Sequence, residues 1–401
     1  MKKIKSFITM CAFERSEKGM KFFMKKILFL IVLILLIPHP CYGTETIIND
    51  QLEALNLGTF IQEGEKYTKE AFPEISIQEL ITKSLIGEVN NKIIYKAILK
   101  ILGKEVVTSI TMLGTILVII IVHSILKTIS ENIGNENTAK IAYFLEYILI
   151  ITIIINNFAS IMQNIQNTIS NLVGFMNMLV PLLIALITAT GQVATGTILQ
   201  PVLIFSVVFI GNIISLAVLP IVTASMILSI ASNLSDKVQI GNLAKFLKSG
   251  ITVFLGFVIT IFVGLVSLEG TLTSSVDGIT IKGIKSATGA FIPVVGKALG
   301  DSVDTVLGAT SIIKNSIGFV GIVIIIGICV MPIIKLTILS VLYSFMGAIT
   351  EPLADKKIVD VINQMAGVFK ILLGVMFFMA VLLIIGVALT LKISNASLMY
   401  R

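Results

Sequence analysis

The chain has 401 residues, 56% of them hydrophobic and 13% charged, with a formal net charge of +7. Soluble globular domains carry about a quarter charged residues, so this composition excludes a soluble protein and calls for several membrane-spanning segments. The excess positive charge does not mark a nucleic-acid surface: residues 1–43 hold eight Lys/Arg and two Glu, whereas residues 44–401 hold twenty-two basic and twenty-one acidic groups, so the basicity is a targeting feature.

The first element is a secretory signal. From Met24, Lys25 and Lys26 form the basic region, Ile27 to Ile37 form an eleven-residue apolar run, and Pro38 and Pro40 end it. Cys41 and Gly43 are small residues at a spacing suited to signal peptidase, which places cleavage between Gly43 and Thr44. Eleven apolar residues are too few to span a bilayer well, which disfavours an uncleaved anchor. Residues 1–23 add nothing to the signal and read as a non-essential upstream extension.

Residues 44–105 carry ten acids and seven lysines and are the one sizeable polar region. Ile77, Ile81, Leu85, Val89 and Ile93 recur every four residues, and Ile94, Ile98 and Leu102 continue the face. This predicts a small amphipathic helical domain. Following a cleaved signal, it is expected outside the cytoplasm.

The remainder, 106–401, reads as a polytopic membrane domain. Spans are predicted at 106–126, 141–162, 172–190, 198–232, 251–268, 316–350 and 364–391. A span needs roughly 20 residues, so the two 35-residue runs, which contain Asn212 and Pro220, and Pro332 and Lys335, each admit one crossing or two. Seven spans are expected, with nine as the upper limit. Loop lysines orient such a chain. Lys127, Lys140, Lys282, Lys285, Lys297, Lys314, Lys392 and Arg401 would lie in cytoplasmic loops, against Lys237, Lys245, Lys248, Lys356 and Lys357 opposite. Eight against five is a weak bias, and splitting the 198–232 run inverts everything after it.

Between the late spans lies an amphipathic segment, 289–315. On a helix from about Lys297, the residues Leu299, Val303, Val306, Thr310, Ile313 and Ile317 line one face, and Asp301, Asp304, Gly308, Ser311 and Asn315 line another. Lys297 and Asp301 are four apart and can pair. Burying either aspartate in lipid would cost about 2.5–3.5 kcal/mol. Lys297, Asp301, Asp304, Ser311 and Asn315 therefore form a candidate pathway or docking stripe facing headgroups, water or a partner.

Catalytic side chains are scarce. After signal removal the cysteine that remains is Cys329 and the histidine is His123, which has no metal-ligand type of residue three or four positions away. No HExxH motif is present. No cofactor, metal site or enzymatic activity is expected. Glu146, Asn212 and Lys335, with Asn156 and Asn157, are polar groups within or near apolar runs, and such groups often line pathways. With Pro181, Pro220 and Pro332 as candidate helix breaks, they keep a stand-alone transporter or permease for a small solute as the rival reading. Gly318 with Gly321, and Ala185 with Ala189, fit close helix packing.

Long strings here resemble a known family. "SVDGITIKGIKSATGAFIPVVGKALGDSVDTVLGATSIIKNSIG" is similar to the corresponding stretch of stage III sporulation protein AE of endospore-forming bacteria, as are "LVPLLIALITATG", "LQPVLIF" and "NLSDKVQIGNLAKFLKSG". The resemblance runs from the signal to the C-terminal "NASLMYR" and is poorest in the N-terminal domain. It implies a membrane component of the mother-cell half of a trans-envelope, secretion-like channel joining mother cell and engulfed forespore. It also implies a cytoplasmic ATPase and ring-forming membrane proteins as partners. The chain would sit in the outer forespore membrane with its N-terminal domain facing the intermembrane space. No catalytic residues are known for the family, so none is carried over.

Overall fold

The computed structural model describes residues 57–399 apart from 70, 74, 87–90, 134–135, 235–240 and 292–295, and at 91–94, 123, 126–133, 136–143, 146, 233–234, 269–291, 296–305 and 396–399 the backbone alone. The signal, with Gly43 and Thr44, lies outside the described residues, as does the upstream extension. All regular structure among the described residues is helical. Two short helices, α1 (Gly58–Thr68) and α2 (Ile77–Ile86), precede α3 (Asn91–Ile133), α4 (Glu136–Ala189) and α5 (Val193–Ile213). A π-helical turn, Ile214–Val218, joins α5 to α6 (Leu219–Leu234), and α7 (Gly241–Phe291), α8 (Gly296–Thr350) and α9 (Lys356–Met399) follow.

Among the described residues, six helical stretches are long and apolar enough to cross a membrane: Tyr95–Val122, Tyr147–Ala189, Val193–Ser232, Gly241–Leu268, Val306–Thr350 and Lys356–Asn395. The sequence pattern predicts seven, and the difference lies in α4, which carries both 141–162 and 172–190. The polar stretch Gln163–Asn171 between them contains neither Pro nor Gly. Gln163 Nε2 donates to Asn167 Oδ1 at 3.1 Å, and Thr168 Oγ1 to the Asn164 carbonyl at 2.8 Å, so part of its polarity is served within the helix and the helix runs through. The 198–232 run does not double back either. Pro220 follows the π turn at the second position of α6, and Pro181, Pro201 and Pro332 all lie inside helices.

The centre of the bundle is the antiparallel pair α8–α9, the most enclosed of the long helices. Its turn, 351–355, is held by Glu351 N–H to Gly347 O (3.2 Å) and Ala354 N–H to Thr350 O (2.8 Å). The pair is zipped along its length: Gly347 against Asn363, the rings of Tyr343 and Phe369 with centroids 5.1 Å apart, and Gly318 against Leu391. Apolar helices gain no hydrophobic drive from meeting each other in lipid, so close packing has to hold them. Glycine supplies it here. A Cβ on Gly318 would stand 2.5 Å from Leu391 Cδ1, and one on Gly321 would stand 2.7 Å from Leu179 Cδ2 of α4. Ala185 and Ala189, the other small pair in the sequence, are exposed.

A second hairpin, α4–α5, turns at Thr190–Gly191–Gln192. Gln192 N–H bonds to Ile187 O (3.4 Å) and Gly191 N–H to Thr188 O (2.9 Å), the two bonds of a Schellman cap. Gly191 has φ of 84°, a left-handed conformation that glycine adopts without strain.

The polar N-terminal region is built into this bundle. Phe60 of α1 packs on Phe175 of α4 with ring centroids 6.2 Å apart, and Gly64 lies against Ile324 of α8. Ala71 and Phe72 join Ile101, Val330, Ile334 and Ile338 in one core cluster. The amphipathic face read from Ile77 to Leu102 is divided between two helices. Ile77, Ile81 and Leu85 are buried on α2, but on α3 the buried residue is Ile101 and Leu102 is exposed. Residues 91–105 form the first turns of the same helix that carries the Tyr95–Val122 span.

Candidate functional site

Most of the bundle's exterior is oily. Val118 and Ile125 on α3, Phe144, Leu145, Ile148 and Leu149 on α4, Phe205 and Leu216 along α5 and the π turn, and Val253 and Phe257 on α7 are all exposed. One face departs from this. Past Ile155, α4 exposes no large apolar side chain as far as Ala189. Its exposed positions from 156 to 177 are Asn156, Ala159, Ser160, Gln163, Asn164, Gln166, Asn167, Ser170, Asn171, Gly174 and Asn177. Asn156, Ser160, Gln163, Asn167, Ser170, Gly174 and Asn177 step by four and three, so they run down a single helix face.

Midway along this face a cavity of about 410 Å³ opens between α4 and the α5–π-turn junction, lined by Gln163, Gln166, Asn167, Ile169, Ser170, Val173, Gly211, Asn212 and Ser215. Two local features shape it. Gly211 lets Val173 approach so closely that a Cβ there would stand 2.5 Å from Val173 Cγ2. The π turn begins two residues after Asn212, and its extra residue re-aims the helix face that carries Asn212 and Ser215. At the other end of the face, the Tyr67 hydroxyl of α1 would lie 3.3 Å from a Cβ at Gly174. Desolvation, and then the neighbouring Glu63 carboxylate, hold the Tyr67 hydroxyl above its ordinary range, so it is a neutral donor.

A second polar cluster closes the end of the bundle. Lys314 of α8 is fully buried. Its Nζ donates to Ser394 Oγ (2.6 Å) and Asn395 Oδ1 (2.9 Å) of α9. Asn395 Nδ2 donates to Asn315 Oδ1 (3.2 Å), and Gln192 Nε2, from the α4–α5 turn, donates to the Ser394 carbonyl (2.8 Å). Polar groups buried in lipid-facing bundles must be matched, and this cluster matches an ammonium to oxygens from another helix.

The residues singled out in the sequence divide accordingly. Asn212 lines the cavity. Asn315 is tied to Asn395 and Ser311 is half-buried, so that end of the expected docking stripe is engaged inside the bundle. Lys297, Asp301 and Asp304 lie on the first turns of α8, which runs without interruption into the span, and their side chains are outside the described residues; so is that of Glu146 on α4. Lys335 is half-buried on α8. Lys314, expected in a cytoplasmic loop, is instead a buried helix residue. Gln163, Gln166, Asn167, Ser170 and Ser215 are absent from the sequence-derived candidates, because Gln163–Asn171 reads there as a connector. The periodic spacing from Asn156 to Asn177 is the signal that reveals Gln163, Asn167 and Ser170; Gln166 and Ser215 lie off that line and reach the cavity through the packing of α4 on the α5–π-turn junction.

Comparison with known proteins agrees with the resemblance. No solved structure matches the chain. A curated relative, stage III sporulation protein AE of Bacillus subtilis (strain 168), is 31% identical over 296 residues, covering 72% of this chain and 74% of the relative. The family model for stage III sporulation protein AE matches residues 75–394, from α2 to Ser394 in the buried lysine cluster. The chain, a multi-pass helical membrane protein by the six long apolar helices among its described residues, thus belongs to the stage III sporulation protein AE family.

Proposed function

We propose that this chain is a membrane component of the mother-cell side of a trans-envelope channel complex joining mother cell and forespore, needed for forespore development after engulfment. It acts as a structural and conducting element, not as an enzyme. Its partners in this reading are a cytoplasmic ATPase and ring-forming membrane proteins of the same complex. Its site is the outer forespore membrane, with the N-terminal region toward the intermembrane space. Family membership supports the sporulation role. The observation that carries the channel reading is the uncharged polar face of α4, which opens on the outside of the bundle and not into an enclosed carrier cavity. Unsatisfied amides are costly against lipid, so such a face suits a surface completed by neighbouring proteins or water.

The test converts that face to the character of its surroundings. A variant with Gln163, Asn167, Ser170 and Asn212 all changed to Leu is expected to reach the membrane at normal levels and to stall forespores after engulfment. Normal spore yield from that strain would reject the reading.

A further inference from the structure

The α4 face has a length as well as a character. From Asn156 to Asn177 it rises about 32 Å at 1.5 Å per residue, close to the roughly 30 Å of a bilayer's hydrocarbon core. Over that length the exposed residues are Asn, Gln, Ser, Ala or Gly, with no charge and no large apolar group. The neighbouring helices α3 and α5 expose Val, Ile, Leu and Phe, as does α4 itself before Asn156. A helix meeting lipid on this face would leave amide groups beyond the Gln163–Asn167 bond without partners.

We propose that the exposed face of α4 from Asn156 to Asn177 is one wall of a water-filled passage whose other walls are the same face on further copies of this chain. The proposal rests on the channel reading above and names the partner. Water accounts for the polarity, since it serves every donor and acceptor without a fixed geometry. The absence of charge selects the partner. Each amide both donates and accepts, so the face complements itself, and a closed ring of identical subunits brings identical faces around one axis. A partner contributing acids or bases would find no opposite charge on this face. The small side chains leave room between facing walls, and the cavity at Asn212 and Ser215 widens the passage at mid-height.

The experiment uses the full-length chain with Cys11, Cys41 and Cys329 changed to Ser, carrying single cysteines at Asn156, Gln163, Asn167, Ser170 or Asn177, or at the controls Ile148 and Val253. Strains are first checked for spore formation. Membranes open on both sides are treated with a charged, membrane-impermeant methanethiosulfonate. Only thiolate reacts, and thiolate forms where water reaches, so the five face positions are expected to label on the order of tenfold faster than the controls. Two differently tagged copies are then co-expressed and treated with bifunctional thiol reagents of graded length. Asn167→Cys and Ser170→Cys are expected to join the two tags. Labelling of the face as slow as at Ile148 would overturn the passage. Fast labelling with crosslinks to another protein, and none between tagged copies at any of the five positions, would overturn the assignment to this chain while leaving its place in the complex intact. The channel reading itself fails by a different result, normal sporulation of the fourfold leucine variant.

Discussion

Lys314 on α8 donates a 2.6 Å hydrogen bond to Ser394 on α9, eighty positions along the chain. The contact ties α8 to α9 well away from the turn that joins them. Gln192, bonded to the Ser394 carbonyl, adds the tip of the α4–α5 hairpin to the same knot. Three chain segments that are remote in sequence therefore end at one buried ammonium and its acceptors.

Replacing that lysine should loosen the knot without dissolving the bundle. Lys314→Met keeps the length of the side chain but removes the bonds to Ser394 Oγ and Asn395 Oδ1. A buried polar group deprived of its partner costs about 1–3 kcal/mol, so a lowered thermal midpoint in detergent is expected. Ser394→Ala should have a smaller effect, because Asn395 remains as an acceptor. An unchanged midpoint for Lys314→Met would mean that the cluster contributes nothing to stability.

Glycines in this bundle should split into two classes. At Gly318 a Cβ would strike Leu391, so Gly318→Val forces α8 and α9 apart, at about 1–3 kcal/mol for overpacking. At Gly374 nothing lies within 4 Å of the Cβ position, and Gly374→Ala gains up to about 1 kcal/mol of helix propensity. Opposite shifts of the melting temperature are the expected result; shifts of the same sign would contradict the packing described for α8 and α9.

The acidic start of α8 gives a third test. Asp301 and Asp304 stand on the first turns of a helix whose Asn315 is anchored to α9. If these carboxylates dock a partner or face a pathway, the double variant Asp301→Asn, Asp304→Asn should accumulate in the membrane and arrest spore development after engulfment. Ordinary spore counts would reduce the segment to a connector.

The signal reading makes a chemical prediction. The mature chain is expected to begin at Thr44, and N-terminal sequencing of protein extracted from membranes checks it directly. Recovery of residues 24–43 on the extracted protein would show an uncleaved anchor instead.

The all-helical, multi-pass architecture was legible because apolar runs of span length leave few alternatives. Asn212 stood out as a polar residue inside an apolar run, and the structure places it on the cavity wall. The run Gln163–Asn171 misled because polarity was read as a loop signal, while the physical determinant was the absence of Pro and Gly. With no breaker present, the Gln163–Asn167 and Thr168–Asn164 bonds let the helix continue. Lys314 was hidden for a related reason. A lysine near the end of an apolar run ordinarily belongs to a loop, and only the arrival of Ser394 and Asn395 from α9 makes its burial possible. That pairing is a tertiary event with no local trace. Ile101 in place of Leu102 shows the same limit at smaller scale, since the packing of α3 on Phe72 and Ile334 decides which neighbouring residue turns inward.

The long helices differ in how much of them protein encloses. Among the described residues, the apolar stretches of α8 and α9 are the most enclosed, and those of α3 and α7 the least. A helix that meets mostly lipid answers a change of bilayer thickness by tilting. A helix gripped by its neighbours along its length cannot tilt by itself. A change of lipid would therefore act first on α3 and α7, and reach the α8–α9 pair only through them.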